Sequence, residues 1–399
     1  MSNIAYFSWI QRTVVEAGPG CRTYAPLRMS SMGSTRPALL TDQNLVKVGV
    51  PDPVKEIFEV QGSPRFVGVY DKISPEFTGT EASECARWCR ENAVDGIVAV
   101  GGGSVLDCAK AVKCMIGMKA TNLWDLSPTL TAVYTEPTAK PLGTPLIAFP
   151  TTAGTGCEVS AGIVCTHEDL HVKGFICHPF MNPEYAFLDA DLTVSLPPHV
   201  TAHTGFDALC HSIEGLTSLT TNDMIDSYAI HSIKMIRKYL PMAVKDGKDI
   251  LARHKMLVAS NMAIVSFFLA GFYYPVHNIA HALGAALKVP HGEANMIALP
   301  FVLDTFTAHY LPHSDALAQA FDLDPRMTPK EIVSGAAQAI RDLQAVCGFS
   351  NPKYKTPRLD EAMIGNLCMA VKLDPVGAIY QIPQAVVKLI LLSACEEVK

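Results

Sequence analysis

Two abrupt strand-to-turn junctions constrain the fold more than any other feature of the sequence. Asp95-Gly-Ile-Val-Ala-Val100 is a short apolar run that ends in Gly101-Gly102-Gly103-Ser104, and a helical period follows from about Val105 to Met115. Pro145-Leu-Ile-Ala-Phe149 repeats the pattern and ends in Pro150-Thr151-Thr152-Ala-Gly-Thr155-Gly156. Pro37–Asp42 and Arg65–Tyr70 read as further strands, and Glu81–Asn92 as a helix. Strands that alternate with helices imply a mainly parallel sheet, hence an α/β unit.

The same junctions suit an anion. Glycines after a strand let backbone N–H groups approach a phosphate with no Cβ in the way, and the helix behind them presents its positive end. Ser104 and Asp107 are spaced as a capping pair for that helix. The threonine loop adds three hydroxyls of the kind that bind phosphate and ribose. The order departs from the standard dinucleotide unit, in which the glycine turn precedes the ribose-binding acid by about 20 residues. Here the strand-end acid, Asp42, comes first.

A second constraint lies in Gly271–Pro300, where His277, His281 and His291 sit among apolar and small residues. His277 and His281 are four apart and share a helix face, while Pro290 and Gly292 bracket His291 with turn residues. Asp207 and His211 repeat the four-residue spacing upstream. Each imidazole alone reads as an ordinary core or surface histidine. Together, one Asp and three His form an N/O donor set suited to a divalent first-row metal.

The totals exclude several classes. At 399 residues, 49% hydrophobic and 18% charged, the chain suits two domains with large cores. A net charge of −6 with no basic run argues against nucleic acid. No uninterrupted apolar stretch reaches the roughly 18 residues of a membrane span, and the N-terminal stretch lacks the pattern of a signal peptide. Twelve cysteines without a C-x-x-C pair read as buried thiols of a cytoplasmic protein. Pro197-Pro198 marks the domain boundary, giving an α/β domain over 1–195 and an all-helical one over 196–399. The helical periods are Ala202–Leu216, Asp223–Tyr239, Ile250–Leu269, Val276–Leu287, Ala294–Thr307, Pro329–Val346, Asp360–Met369 and Ala385–Cys395. Metal ligands on one domain and a phosphate site on the other place the expected chemistry in a cleft between them.

GGGSVLDCAKA, PTTAGTGCEVS, TGFDALCHSIEG and HNIAHALG…VPHGEAN, in order over about Pro37–Leu311, resemble the iron-containing (group III) alcohol dehydrogenases. The resemblance implies a dinucleotide-binding α/β domain, an all-α domain and a metal in the cleft. It places the metal on Asp207, His211, His277 and His291, and it sets His281 beside the nicotinamide as a non-ligand. It assigns cofactor contacts to Asp42, Gly102, Gly103, Ser104, Thr151, Thr152, Thr155 and Lys173, with NAD preferred over NADP because Asp42 faces the ribose. Iron follows from the resemblance alone, since Zn²⁺ would bind this donor set at least as tightly. A homo-oligomer, specifically a dimer, is the expected assembly.

Three segments depart from the family pattern. Pro75-Glu76-Phe77-Thr78 carries an acid where the family has an amide that touches the cofactor. Phe272-Tyr273-Tyr274-Pro275 replaces the usual glycines before His277, so Tyr274, together with Phe268, is expected to wall a narrowed substrate pocket. The C-terminal N-P-R segment has only Asp374-Pro375-Val376 as a counterpart.

The expected reaction is metal-assisted hydride transfer between NAD(H) and a small alcohol or aldehyde. A 4-hydroxybutyrate-type hydroxy acid dehydrogenase is the alternative. A dehydroquinate synthase-like lyase would need cationic residues near Asp207 and His277, where only Lys288 occurs. A nicotinamide-binding sensor without turnover would not need all four ligands plus His281.

Overall fold

The computed structural model describes residues 7–398 apart from 128, 136–137, 171, 272, 357, 359 and 375–380. Two of the departures noted above, Phe272 and Pro375-Val376, fall outside the described residues. Two compact units form, one of Gln11–Leu196 with Lys248–Val258 and the other of the remaining segments before Gln11, from Pro197 to Gly247, and from Ala259 onward.

The first unit is α/β. Its strands are β1 Val14–Ala17, β2 Pro37–Leu40, β3 Val69–Tyr70, β4 Gly96–Gly101, β5 Thr131–Val133, β6 Leu146–Pro150, β7 Gly162–His167, β8 Val172–Cys177 and β9 Tyr185–Leu188. Six of them form a sheet in the order β1-β9-β6-β4-β2-β3, with every described pair parallel. β2, β4 and β6 are buried along their whole length, as a sheet covered on both faces requires. Helices α1 Ala25–Ser31, α2 Gln43–Lys47, α3 Asp52–Phe58, α4 Gly79–Glu91 and α5 Gly103–Gly117 belong to this unit. Cys85, Cys89, Cys108 and Val112 pack with Ile97 and Ala99 on one face, while Val54, Phe58 and Phe187 pack with Val98 and Val100 on the other. A smaller sheet, β5-β8-β7, carries an antiparallel β7–β8 pair.

Sequence periodicity located α4, α5, β2, β4 and β6 to within about two residues. It overextended β3, which pairs over two residues only, and it missed β1, β9 and the β7–β8 pair. β1 is a four-residue edge strand, mostly exposed, so it lacks the apolar run that marks a buried strand.

The second unit is helical, with α6 Pro198–Leu216, α7 Asp223–Lys245, the later part of α8 Ile250–Leu269, α9 Pro275–Leu287 and α10 His291–Thr305. It continues through α11 Thr307–Tyr310, α12 Ser314–Phe321, α13 Pro329–Val346, α14 Glu361–Leu373 and α15 Gln384–Ala394. Two short strands, β10 Tyr354–Thr356 and β11 Cys395–Glu397, pair in parallel. α7 runs six residues beyond the expected Tyr239, through Pro241. The start of α8 groups with the first unit, where Arg253 donates to the Leu196 carbonyl at 3.1 Å and Leu257 packs with Leu188 and Ala190. Among the described residues no helix is long and apolar enough to cross a membrane.

Candidate metal centre and cofactor face

Three helices of the second unit meet around one carboxylate oxygen. α6 carries Asp207, His211 and Glu214 at positions i, i+4 and i+7, so all three lie along one helix face. α9 carries His277 and His281, and α10 begins at His291, immediately after the left-handed Lys288 and extended Pro290 have turned the chain. Gly292 permits that turn to pack closely, because a Cβ there would sit 2.7 Å from the His203 carbonyl oxygen. Asp207 Oδ1 is 3.5 Å from His277 Nε2, 3.4 Å from His291 Nε2 and 4.0 Å from His211 Nε2.

This donor set fits a divalent metal. Bonds of about 2.0–2.2 Å put neighbouring donors about 3–3.5 Å apart, close to the separations here. Asp207, His211 and His277 are all buried, with ligand atoms within 4.8 Å of one another. Among the described residues, His277 Nε2 is a buried atom with no well-formed hydrogen bond, the kind of polar atom that a bound cation would satisfy.

The ionisable groups of the cluster shift one another. Burial by itself would raise the Asp207 pKa, but the surrounding His211, His291 and His277 hold it well below the usual carboxylate range. Burial likewise opposes protonation of His277, yet Glu214 and Asp207 outweigh it and raise its pKa to about 9. Desolvation among the packed donors lowers the pKa of the partly exposed His291, against the pull of Asp207.

Three residues in contact with the candidate site escaped the sequence reading. Glu214, fully buried, bonds His277 Nδ1 and accepts the backbone N–H groups of Val276 at 2.6 Å and His277 at 3.3 Å. Its seven-residue spacing from Asp207 was the available signal. Asn295, also fully buried, donates from Nδ2 to Asp207 Oδ1 at 2.7 Å and lies 3.2 Å from His291 Nε2. It follows His291 by four residues on α10. The third is Phe267, whose ring lies 4.6 Å from that of His211 and 4.9 Å from that of His277.

Tyr274 stacks on Phe267 with ring centroids 3.5 Å apart and donates its hydroxyl to the Phe267 carbonyl at 2.7 Å. Tyr273 is buried against His309 instead. Phe268, beside Phe267 on α8, is half-buried. The His281 ring lies 5.1 Å from His291 and 6.0 Å from His277, with Nδ1 3.5 Å from Asp374 Oδ2.

In the first unit the cofactor candidates gather at the carboxyl ends of three adjacent strands. Asp42 follows β2, Gly102–Ser104 follow β4, and Thr151–Thr155 follow β6. That edge is where open α/β sheets bind ligands. Thr151 N donates to the Gly101 carbonyl at 3.0 Å. A Cβ at Gly103 would lie 2.8 Å from Thr155 Cγ2, so the two loops interlock only around glycine. Asp42 caps α2, with Oδ1 accepting the N–H groups of Asn44 at 2.8 Å and Leu45 at 3.0 Å. Lys173, on β8, reaches Glu76 Oε2 and Thr166 Oγ1, each at 3.1 Å.

The expected Ser104–Asp107 capping pair does not form. Gly102 is the N-cap residue of α5 and has no side chain to cap with. Asp107 instead pairs with the buried Lys110 at 2.8 Å and accepts the Val164 N–H at 3.0 Å, while Ser104 Oγ accepts the Glu76 N–H. Lys110 in turn donates to the Gly162 carbonyl at 2.6 Å and to Ser160 Oγ at 3.1 Å. A buried ammonium needs those partners, so Asp107 serves it rather than the helix end.

Comparison with known proteins identifies the family of both halves of the chain. A family described as "Iron-containing alcohol dehydrogenase" matches residues 13–190, and one described as "Fe-containing alcohol dehydrogenase family, C-terminal" matches residues 201–353. The chain is 41% identical over 265 residues to the probable alcohol dehydrogenase EutG of Salmonella typhimurium, a match over 66% of this chain and 64% of that protein. The corresponding match to EutG of Escherichia coli, at 43% identity, covers 56% of this chain and 55% of the relative. A choline dehydrogenase of Bacillus subtilis is 31% identical over 91% of this chain and 88% of its own length. Among solved structures, a 1,3-propanediol oxidoreductase superposes with a TM-score of 0.85 at 27% identity, covering 98% of this chain and all of that one. A sulfoacetaldehyde reductase from Bifidobacterium kashiwanohense, solved in complex with NAD+, gives 0.81 at 27% identity over 98% and 99% of the two chains. With both halves matched in order, the chain belongs to the iron-containing alcohol dehydrogenase family.

Proposed function

We propose that the protein is a metal-dependent oxidoreductase that transfers a hydride between NAD(H) and a small alcohol or aldehyde. The convergence of three imidazoles on Asp207 Oδ1, at 3.4–4.0 Å, carries this reading. Asp207, His211, His277 and His291 would hold the metal, iron in keeping with the family and zinc by ligand chemistry alone. When bound, the metal supplies Lewis acidity toward an alcohol or carbonyl oxygen, and the nicotinamide supplies the hydride donor or acceptor.

The protein's own residues align and shield the reactants. Glu214 fixes the His277 ring so that Nε2 faces Asp207, and Asn295 orients the Asp207 carboxylate. Gly102, Gly103 and Ser104 seat the cofactor's diphosphate at the start of α5. Thr151, Thr152, Thr155 and Lys173 add polar contacts, and Asp42 accepts the adenosine ribose hydroxyls through the oxygen its cap leaves over. His281 stands beside the nicotinamide, while Phe268 and Tyr274 give the substrate an apolar wall. Twelve free thiols support a reducing, cytoplasmic setting, and the working assembly is taken to be a homodimer.

The test is NADH oxidation and NAD reduction across short linear aldehydes and alcohols, with 4-hydroxybutyrate in the panel, on metal-loaded and chelator-treated protein. Turnover of short alcohols that is lost with the metal and restored by its return is expected. Turnover that is indifferent to chelation, or confined to the hydroxy acid, would count against the reading.

A further inference from the structure

Glu76 places a carboxylate at the rim of the glycine turn. Its backbone N–H donates to Ser104 Oγ at 3.0 Å, which ties it to the second residue of α5. Its φ is +57°, a left-handed conformation uncommon for a residue with a long side chain. Lys173 donates to Glu76 Oε2 at 3.1 Å, with the Glu76 side chain 60% exposed and that of Lys173 29% exposed. Thr166 Oγ1, 3.1 Å from the same ammonium, holds Lys173 on the β7–β8 pair. One anion and one cation thus share the edge of a seat read as taking a diphosphate. A carboxylate there repels a diphosphate and competes with it for the ammonium.

We propose that Glu76 is a counter-charge that occupies Lys173 until the dinucleotide's diphosphate displaces it, so that this carboxylate sets cofactor affinity low instead of supplying a contact. The proposal rests on the reading of the glycine turn as the diphosphate seat. It gives the departure at position 76 a role in affinity, and it makes Lys173 available to the ligand only after an ion pair has opened.

Dissociation constants for NADH, by fluorescence, and for ADP-ribose, by calorimetry, test it on wild type, Glu76→Gln, Glu76→Asn, Lys173→Met and the Glu76→Gln/Lys173→Met double variant. Asn suits the left-handed backbone, so folding is preserved in at least one neutral variant. Both neutral variants should bind NADH and ADP-ribose about threefold to tenfold more tightly than wild type. Lys173→Met should weaken binding more in the Glu76→Gln background than in wild type, because only there is the ammonium without its carboxylate partner. Unchanged or weaker binding by both Glu76 variants would overturn the proposal, as would tightening of NADH without tightening of ADP-ribose, which lacks only the nicotinamide. If wild type binds neither nucleotide, the diphosphate seat falls and the proposal with it. If nucleotides bind and only the tightening fails, the seat stands and the counter-charge role does not.

Discussion

Glu214 holds His277 by both its ring and its backbone, and the ring's other nitrogen thereby faces Asp207 Oδ1 at 3.5 Å. The bond at Nδ1 fixes the ring orientation and makes Nε2 a better donor to a metal, as carboxylates behind ligating imidazoles do elsewhere. It also brings a second buried carboxylate close to the cluster, so two anions balance a divalent ion. Glu214→Gln should lower metal affinity about tenfold to 100-fold, measured by competition with a chelator. Glu214→Asp should restore part of the loss, and the Kd for NADH should not move. Unaltered metal affinity in Glu214→Gln would show that the contact is structural only.

Asp42 does two jobs on the proposed reading, capping α2 with one oxygen and facing the ribose with the other. Asp42→Gly should therefore narrow the preference of kcat/KM for NAD over NADP. It should cost only a few tenths of a kcal/mol in stability, since glycine is a tolerable N-cap residue. Steady-state kinetics with both cofactors, alongside a thermal melt, check the two effects separately. A wild-type enzyme that favours NADP would remove Asp42 from the ribose site.

Tyr274 supports Phe267, which in turn packs on His211 and His277. If this stack bounds the substrate pocket, kcat/KM should fall sharply beyond some short length in a series of linear primary alcohols. Each rejected methylene should cost about 1–3 kcal/mol, and Tyr274→Gly should shift the fall to longer chains. Parallel length profiles for the two proteins would mean that the stack only packs between helices.

Much of the candidate cluster was legible because helix spacing is local. Asp207 with His211, and His277 with His281, announce shared faces by their four-residue separation, and Pro290 with Gly292 announces the turn at His291. Glu214 and Asn295 were harder, because an acid at i+7 or an amide at i+4 gains meaning only once the partner helix is known. The capping pair at Ser104 and Asp107 misled for a related reason, since the claim of Lys110 on Asp107 depends on the β7 backbone some fifty residues away. In the fold, buried strands showed as apolar runs, whereas the exposed edge strand β1 carried no such signal.

His309 offers a pH test away from the metal cluster. It packs against Tyr273, Phe306 and Tyr310, and burial, reinforced by nearby His313, lowers its pKa to about 4. The unfolded chain, with an ordinary value near 6.5, binds the proton more readily. Its contribution is thus full above about pH 6.5 and is lost as pH falls toward 4. His203, lowered to about 4 by burial and His199, acts in the same direction. The melting temperature should drop across that window, and His309→Phe should flatten the drop without abolishing it. An equally steep profile in the variant would show that His309 does not titrate there.

Metal content decides whether the four residues form one centre. Wild type, Asp207→Ala and His277→Ala, purified without chelators, are to be assayed by elemental analysis, with the Kd for NADH measured on the same samples. Near-stoichiometric iron or zinc is expected in wild type, and almost none in either variant. NADH binding should survive in both, because the glycine turn and the metal cluster belong to different units of the chain. Full metal occupancy in Asp207→Ala and His277→Ala would contradict the assignment.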